Sequence, residues 1–230
     1  MNPNRRPAVL ITGASRGLGR AIATALADTW HIHVGGTNAV QVDDVVRELP
    51  SAEPFVVDLT DERATADLAR RITRLDALVH SAGIAMTDRI DEATREQWRH
   101  QFEVNVFAVA DLTRLLLPLL RASHGQIVMI NSGAGLRSGK RVGLYAGSKF
   151  ALLALTDALR EEERGVIRVT SIHPGRVDTD MQREIQALDG RPYDPQEHLR
   201  PESVAATVRL ALTASPEALI ESLTIRPVRR

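Results

Sequence analysis

The first apolar run of the chain, Ala8 to Thr12, leads without a break into Thr12-Gly13-Ala14-Ser15-Arg16-Gly17-Leu18-Gly19, and an alanine-rich segment, Arg20–Ala27, follows at once. Three glycines spaced four and two apart let a backbone turn sharply and approach a ligand closely. A helix that starts inside such a turn presents unpaired N–H groups and the positive end of its dipole, which together hold an anion such as a pyrophosphate. The spacing differs from G-x-G-x-x-G, but the mechanics are the same. A glycine cluster by itself also serves ordinary turns. Its place between a first strand and a first helix is the context that marks a dinucleotide loop.

The rest of the chain keeps the same rhythm. Expected strands are Ala8–Thr12, His31–Gly35, Glu53–Val57, Ala77–His80, Gly125–Asn131, Ile167–Ile172 and Leu219–Ile225; several are nearly continuous in apolar character, as strands covered on both faces must be. Between them lie expected helices Gly17–Asp28, Val40–Leu49, Asp61–Ile72, Thr94–Arg121, Tyr145–Arg164 and Pro201–Thr213. Strand–helix alternation implies a seven-stranded parallel sheet, doubly wound, with helices on both faces. The expected architecture is therefore α/β, a single Rossmann domain over residues 1–230, since one such domain accommodates this length. Residues 179–200 break the rhythm with Gly190, Pro192 and Pro195 around a short helical stretch, Met181–Leu188. A segment of that length after a late strand is expected to be a substrate lid, with a surface excursion as the alternative.

Composition excludes several classes. The 29 basic and 29 acidic residues balance, which argues against a nucleic-acid or anionic-membrane footprint. There is no cysteine, so disulfides and thiolate metal sites are excluded, and no metal site is expected. After Arg5, Arg6 and Pro7, only five uncharged residues, Ala8–Thr12, precede Gly13, too short for a secretory signal. The most apolar run, Leu115–Leu120, is far below membrane-spanning length and contains Pro118. A soluble cytoplasmic protein is the expectation.

Cofactor preference is readable at the second strand. In NAD-specific sheets an acid near that strand's end takes the ribose hydroxyls. Here the strand ends Val34-Gly35-Gly36-Thr37-Asn38, and the next acid is Asp43. No carboxylate is placed to repel a 2′-phosphate, whereas Arg16, Thr37 and Asn38 could bind one. NADP(H) is favoured over NAD(H); the alternative is a solvated Arg16 and tolerance of both.

Tyr145 and Lys149 are four apart at the start of an expected helix, so they share one face. A free phenol has a pKa near 10, and a neighbouring ammonium is expected to lower it. Alone, the pair reads more simply as a packed tyrosine beside a lysine. Ser132, however, closes an expected strand thirteen residues earlier, at the carboxyl edge where ligands bind open α/β sheets. A hydroxyl there can hold a carbonyl oxygen against the phenol.

At this point the chain resembles the short-chain dehydrogenase/reductase family over essentially its whole length. The resemblance rests on the Thr12–Gly19 loop, Asp58, Ala82-Gly83, Asn105, Ser132, Tyr145-x-x-x-Lys149 and Pro174-Gly175-x-x-x-Thr179. It implies a catalytic tetrad of Asn105, Ser132, Tyr145 and Lys149, with Asn105 kinking the long helix and positioning a water, and Lys149 also on the nicotinamide ribose. It implies a cofactor lined by Gly13, Ser15, Arg16, Gly17, Leu18 and Gly19, by Asp58 and Leu59 at adenine, by Ala82 and Gly83 at the adenosine ribose, and by Pro174, Gly175, Val177 and Thr179 toward the carboxamide. Two features depart from the family pattern: His80-Ser81-Ala82-Gly83 replaces Asn-Asn-Ala-Gly, with His80 read as a packed strand-end residue, and the chain closes on Thr224-Ile225-Arg226-Pro227 without a glycine-rich tail.

The function expected is an NADP(H)-dependent ketoreductase or alcohol dehydrogenase acting on a small carbonyl or alcohol. Its pocket would draw on Gly133–Val142, Arg176, Met181 and the lid around Tyr193, with Arg137, Lys140, Arg141 and Arg176 as a basic rim. The resemblance also implies a homodimer or homotetramer paired through helices Thr94–Arg121 and Tyr145–Arg164. A non-catalytic cofactor-binding redox sensor is the alternative from another class, and a flavodoxin-like domain is a third.

Overall fold

The structure, a computed structural model, describes residues 6–188, 190 and 192–228. Met1–Arg5, and residues 189 and 191 within the expected lid, lie outside the described residues. The strands are β1 (Ala8–Ile11), β2 (His31–Gly36), β3 (Ala52–Val56), β4 (Ala77–His80), β5 (Gln126–Ile130), β6 (Arg168–Pro174) and β7 (Ser222–Ile225). All pair in parallel in one sheet of order β3-β2-β1-β4-β5-β6-β7. This is the doubly wound Rossmann fold. The order reverses between β1 and β4, which opens a crevice at the carboxyl ends of those strands.

The helices are α1 (Gly17–Leu26), α2 (Ala39–Glu48), α3 (Glu62–Ala69), α4 (Arg95–Phe102), α5 (Ala108–Ser123), α6 (Gly143–Glu162), α7 (Asp180–Leu188) and α8 (Pro201–Thr213). Alternation along each strand divides the core between the two faces of the sheet. Val9, Ile11, Ile32 and Val34 pack with Ile22, Leu26, Val42, Val204 and Val208 from α1, α2 and α8. Leu10, Leu78, Ile127 and Val169 pack with Ala69, Leu112, Leu116, Leu120 and Leu152 from α3, α5 and α6. The fully buried runs of β1, β4 and β5 are the segments whose continuous apolar character marked them as central strands.

The single long helix expected over Thr94–Arg121 is two helices joined by a π turn, Glu103–Phe107. Thr94 and Gln97 form a reciprocal capping box at its start, and His124 closes α5 in the left-handed region at φ 49°. The π turn carries Asn105. The last strand is shorter than expected, Ser222–Ile225, because the preceding residues 214–221 form no regular element. Among the described residues, no helix is long and apolar enough to cross a membrane.

Candidate active site

The glycine loop folds as its spacing requires. Gly13 and Gly17 sit at φ 64° and 54°, where side chains other than glycine's are strained. Gly19 is needed for a different reason: a Cβ there would lie 2.2 Å from the Gly13 carbonyl oxygen. Thr12 Oγ1 accepts hydrogen bonds from Ser81 N and Ala82 N, both at 3.0 Å, and so ties the end of β1 to the loop after β4. The α1 N-terminus has neither a side-chain cap nor an acid in its first turn, which leaves its N–H groups and dipole free for an anion.

These elements wall a cavity of about 600 Å³ at the switch point. It is lined by Gly13, Ser15, Arg16, Gly17, Leu18 and Gly19, by Thr37, Asp58, Leu59, Ala82 and Gly83, and by Pro174, Gly175, Val177 and Thr179. Asn131, Ser132, Tyr145 and Lys149 line its inner end. Asn38 does not line it; its Oδ1 accepts from Gln41 N at 3.2 Å and caps α2. Arg16 reaches the cavity, but Nη1 pairs with Asp180 Oδ2 at 3.2 Å, joining the glycine loop to the first residue of α7.

Ser132 follows β5, and Tyr145 and Lys149 sit in the first two turns of α6. Ser132 Oγ accepts from Ala134 N at 3.1 Å, and its hydroxyl lies close enough to the Tyr145 phenol to act on that group's titration. Lys149 is buried, its Nζ donating to Ile130 O at 3.0 Å and lying 5.9 Å from the Tyr145 ring centroid. Burial brings the Lys149 ammonium down to about 8. Burial also raises the Tyr145 phenol, partly offset by the nearby Ser132 hydroxyl. This corrects the expectation that Lys149 lowers the phenol's pKa. Within the chain alone, desolvation of the phenolate outweighs an ammonium that is one turn away and engaged with a carbonyl.

Asn105 is buried in the π turn, where Oδ1 accepts from Ile84 N at 2.9 Å and Nδ2 donates to Ile84 O at 2.9 Å. Nδ2 also lies 3.0 Å from Ser148 Oγ, and Ser148 Oγ donates to Tyr145 O at 2.8 Å. Gln101, one turn earlier, repeats the pattern with Met86 N, Ile84 O and Ser148 Oγ. Gln101, Ser148 and the cavity-lining Asn131 were missed in the sequence. The four-residue spacing of Gln101 and Asn105 was the available signal, yet only the fold brings Ser148 against both.

The rim differs from expectation. Of Gly133–Val142 only Gly133 and Ala134 line the cavity; Arg137, Lys140 and Arg141 do not, whereas Arg176 and Met181 do. Tyr193 is turned away, its hydroxyl donating to Asp178 Oδ1 at 2.7 Å and its ring stacked on His198 at 4.6 Å. Gln182 and Ile185 of α7 reach the cavity instead. His80 is a packed residue as expected: burial takes it to about 3, and Nε2 meets Thr113 Oγ1 at 2.9 Å.

A family model for short chain dehydrogenases matches residues 7–189. The chain belongs to this family. Dehydrogenase/reductase SDR family member 11 of Bos taurus is 30% identical over 244 residues, covering 96% of both chains. An alcohol dehydrogenase from Thermococcus sibiricus, complexed with 5-hydroxy-NADP, superposes with a TM-score of 0.89 at 26% identity over 98% of each chain. A candidate NAD(P)-dependent gluconate 5-dehydrogenase from Beutenbergia cavernae, with NADP bound at low occupancy, gives 0.87 at 32% identity over 96% of this chain and 95% of that one. As a short-chain dehydrogenase, the chain is of an oxidoreductase family that acts on small molecules.

Proposed function

We propose that this short-chain dehydrogenase interconverts a carbonyl and an alcohol with NADP(H), using Tyr145 as proton donor and acceptor. The observation that carries the reading is the convergence of Ser132, Tyr145 and Lys149 on one cleft whose other wall is the glycine loop.

The residues fit a dinucleotide. The glycine loop lines the cavity and the α1 N-terminus beside it has neither a side-chain cap nor a first-turn acid, while Gly13 packs so closely on Ala82 that a Cβ there would lie 2.8 Å from Ala82 Cα. Pyrophosphate belongs at the α1 N-terminus, adenine near Asp58 and Leu59, and the carboxamide near Val177 and Thr179. Arg16 and Thr37, with no carboxylate closing β2, favour a 2′-phosphate. When bound, the nicotinamide supplies or takes up the hydride.

The chain's own part is proton handling and positioning. Ser132 holds the substrate oxygen beside the phenol. Tyr145, a phenol protonated at neutral pH and raised further by its burial, gives its proton to that oxygen in the reductive direction. Lys149 places positive charge below the phenolate that remains, and its pKa near 8 lets it pass a proton onward at neutral pH. Asn105 holds the Ile84 backbone and Ser148, and through them the register of Tyr145.

One domain would perform the whole reaction, with residues 179–200 as lid. The base of that segment is closed by Asp178 N to Leu199 O at 2.8 Å and Leu199 N to Arg176 O at 2.9 Å, so it can move as a flap. The exposed Phe107 and Phe150 on the long helices fit the expected homo-oligomer.

The test is NADPH consumption against ketones, keto acids and quinones beside Tyr145→Phe. The variant should keep nucleotide affinity within a few fold and lose about 10²–10⁴ in kcat. Full activity in Tyr145→Phe, or turnover by none of the panel with a nucleotide that binds tightly, would refute the reading; the latter outcome would favour the sensor. Tighter binding of NADH than of NADPH would overturn the cofactor assignment alone.

A further inference from the structure

β2 opens with His31-Ile32-His33, and period-two alternation puts both imidazoles on one face of the sheet. The parallel register sets His33 against Glu53 of β3, the edge strand. The two rings meet edge to face with centroids 5.3 Å apart. Glu53 Oε1 lies 2.8 Å from His33 Nδ1, and Oε2 lies 4.0 Å from His31 Nε2. One donor atom from each residue falls within 4.8 Å of the other two. Among the described residues, Glu53 forms ion pairs with these histidines and with no arginine or lysine.

We propose that His31, His33 and Glu53 form a zinc site that staples the edge strand β3 to β2. Two imidazoles and a carboxylate with a fourth position left to water are an established donor set for zinc. Tetrahedral zinc with bonds near 2.1 Å needs donors roughly 3.4 Å apart. The 2.8 Å contact must therefore open slightly and the 4.0 Å contact close, both within side-chain rotation.

The surroundings prepare the donors. Ser51 Oγ lies 2.9 Å from His31 Nδ1. With the hydroxyl accepting, Nδ1 carries the proton and Nε2 turns its lone pair toward Glu53, which is the outer support a ligating histidine uses. His33 Nδ1 lies 2.8 Å from the carboxylate; coordination through Nδ1 leaves the ring proton on Nε2 and the ring neutral. His33 is buried while the Glu53 side chain is 54% exposed, so the site has a rigid inner ligand and an open entry path. It lies toward the amino ends of β2 and β3, whereas the cleft is at their carboxyl ends. The metal's role is accordingly to hold the sheet edge, and it takes no part in the reaction.

The experiment titrates zinc ion into tag-free, chelator-treated protein, read by calorimetry and by thermal unfolding. We expect one zinc per chain and a higher Tm in its presence. His31→Gln and Glu53→Gln should each weaken binding at least about tenfold, and Ser51→Ala should weaken it by a smaller factor. Both substituted side chains are partly exposed, and the urea midpoint and circular dichroism of the metal-free variants establish that they fold. Absence of uptake at micromolar zinc overturns the site. So does uptake unchanged in either variant, which would assign the metal to other residues.

Discussion

Burying an ammonium at position 149 has a cost that the proposed reaction would require and the fold does not. Lys149 is 6% exposed, and its pKa falls from 10.5 to about 8. That difference corresponds to about 3 kcal/mol between charged and neutral forms. The sign follows from proton counts. Between pH 8 and 10.5 the unfolded chain holds the proton that the folded chain has released, so stability rises with pH across this window. Below pH 8 the full penalty is present. Lys149→Met keeps an unbranched chain of similar length but removes the charge, and it also removes the hydrogen bond to Ile130 O, worth about 1 kcal/mol. The nucleotide-free variant should therefore be more stable than the parent by about 2 kcal/mol at pH 7, or roughly 4–8 °C in Tm for a chain of this size. The advantage should fade between pH 8 and 10.5 and then reverse slightly. Urea unfolding of both proteins, without nucleotide, at intervals from pH 7 to 10.5 measures this directly, and turnover by the variant should be lost. A stability difference that stays flat across that range, or a variant less stable at pH 7, would refute the reasoning.

Four further outcomes are expected. Gly19→Ala drives a methyl to 2.2 Å from the Gly13 carbonyl, so nucleotide binding measured by fluorescence should be lost with the loop's shape. Arg16→Ala should weaken NADPH more than NADH. Asp180→Asn, by freeing Arg16 from an exposed pair, should tighten NADPH by up to about fivefold with NADH unchanged, as read by titration. Asn105→Ala leaves the Ile84 N–H and C=O without their side-chain partner, which should cost about 1–3 kcal/mol in urea unfolding and reduce kcat more than it changes KM.

Much of the fold was legible because it is written locally. Continuous apolar runs such as Val9–Ile11 and Ile127–Ile130, rich in Val and Ile and too short for helices, read as strands covered on both faces, and the helices between them leave parallel pairing as the solution. The break at Asn105 was harder. The π turn depends on side-chain bonds to Ile84, twenty-one residues away, and helical periodicity carries no trace of that. Asn38 illustrates the opposite error: its position after β2 suggested a phosphate ligand, while its local use as a helix cap satisfies it.

By itself, the sequence determined the glycine loop, the seven strands and the grouping of Ser132, Tyr145 and Lys149, because φ-permissive glycines, apolar periodicity and helical spacing act within a few residues. Only the tertiary structure decided that the phenol is raised and the ammonium lowered, that Arg16 is held by Asp180, that Tyr193 turns away from the cleft, and that His31, His33 and Glu53 converge. Desolvation, ion pairing across a cleft and register between strands are properties of what packs against a residue, and that is set by parts of the chain far from it.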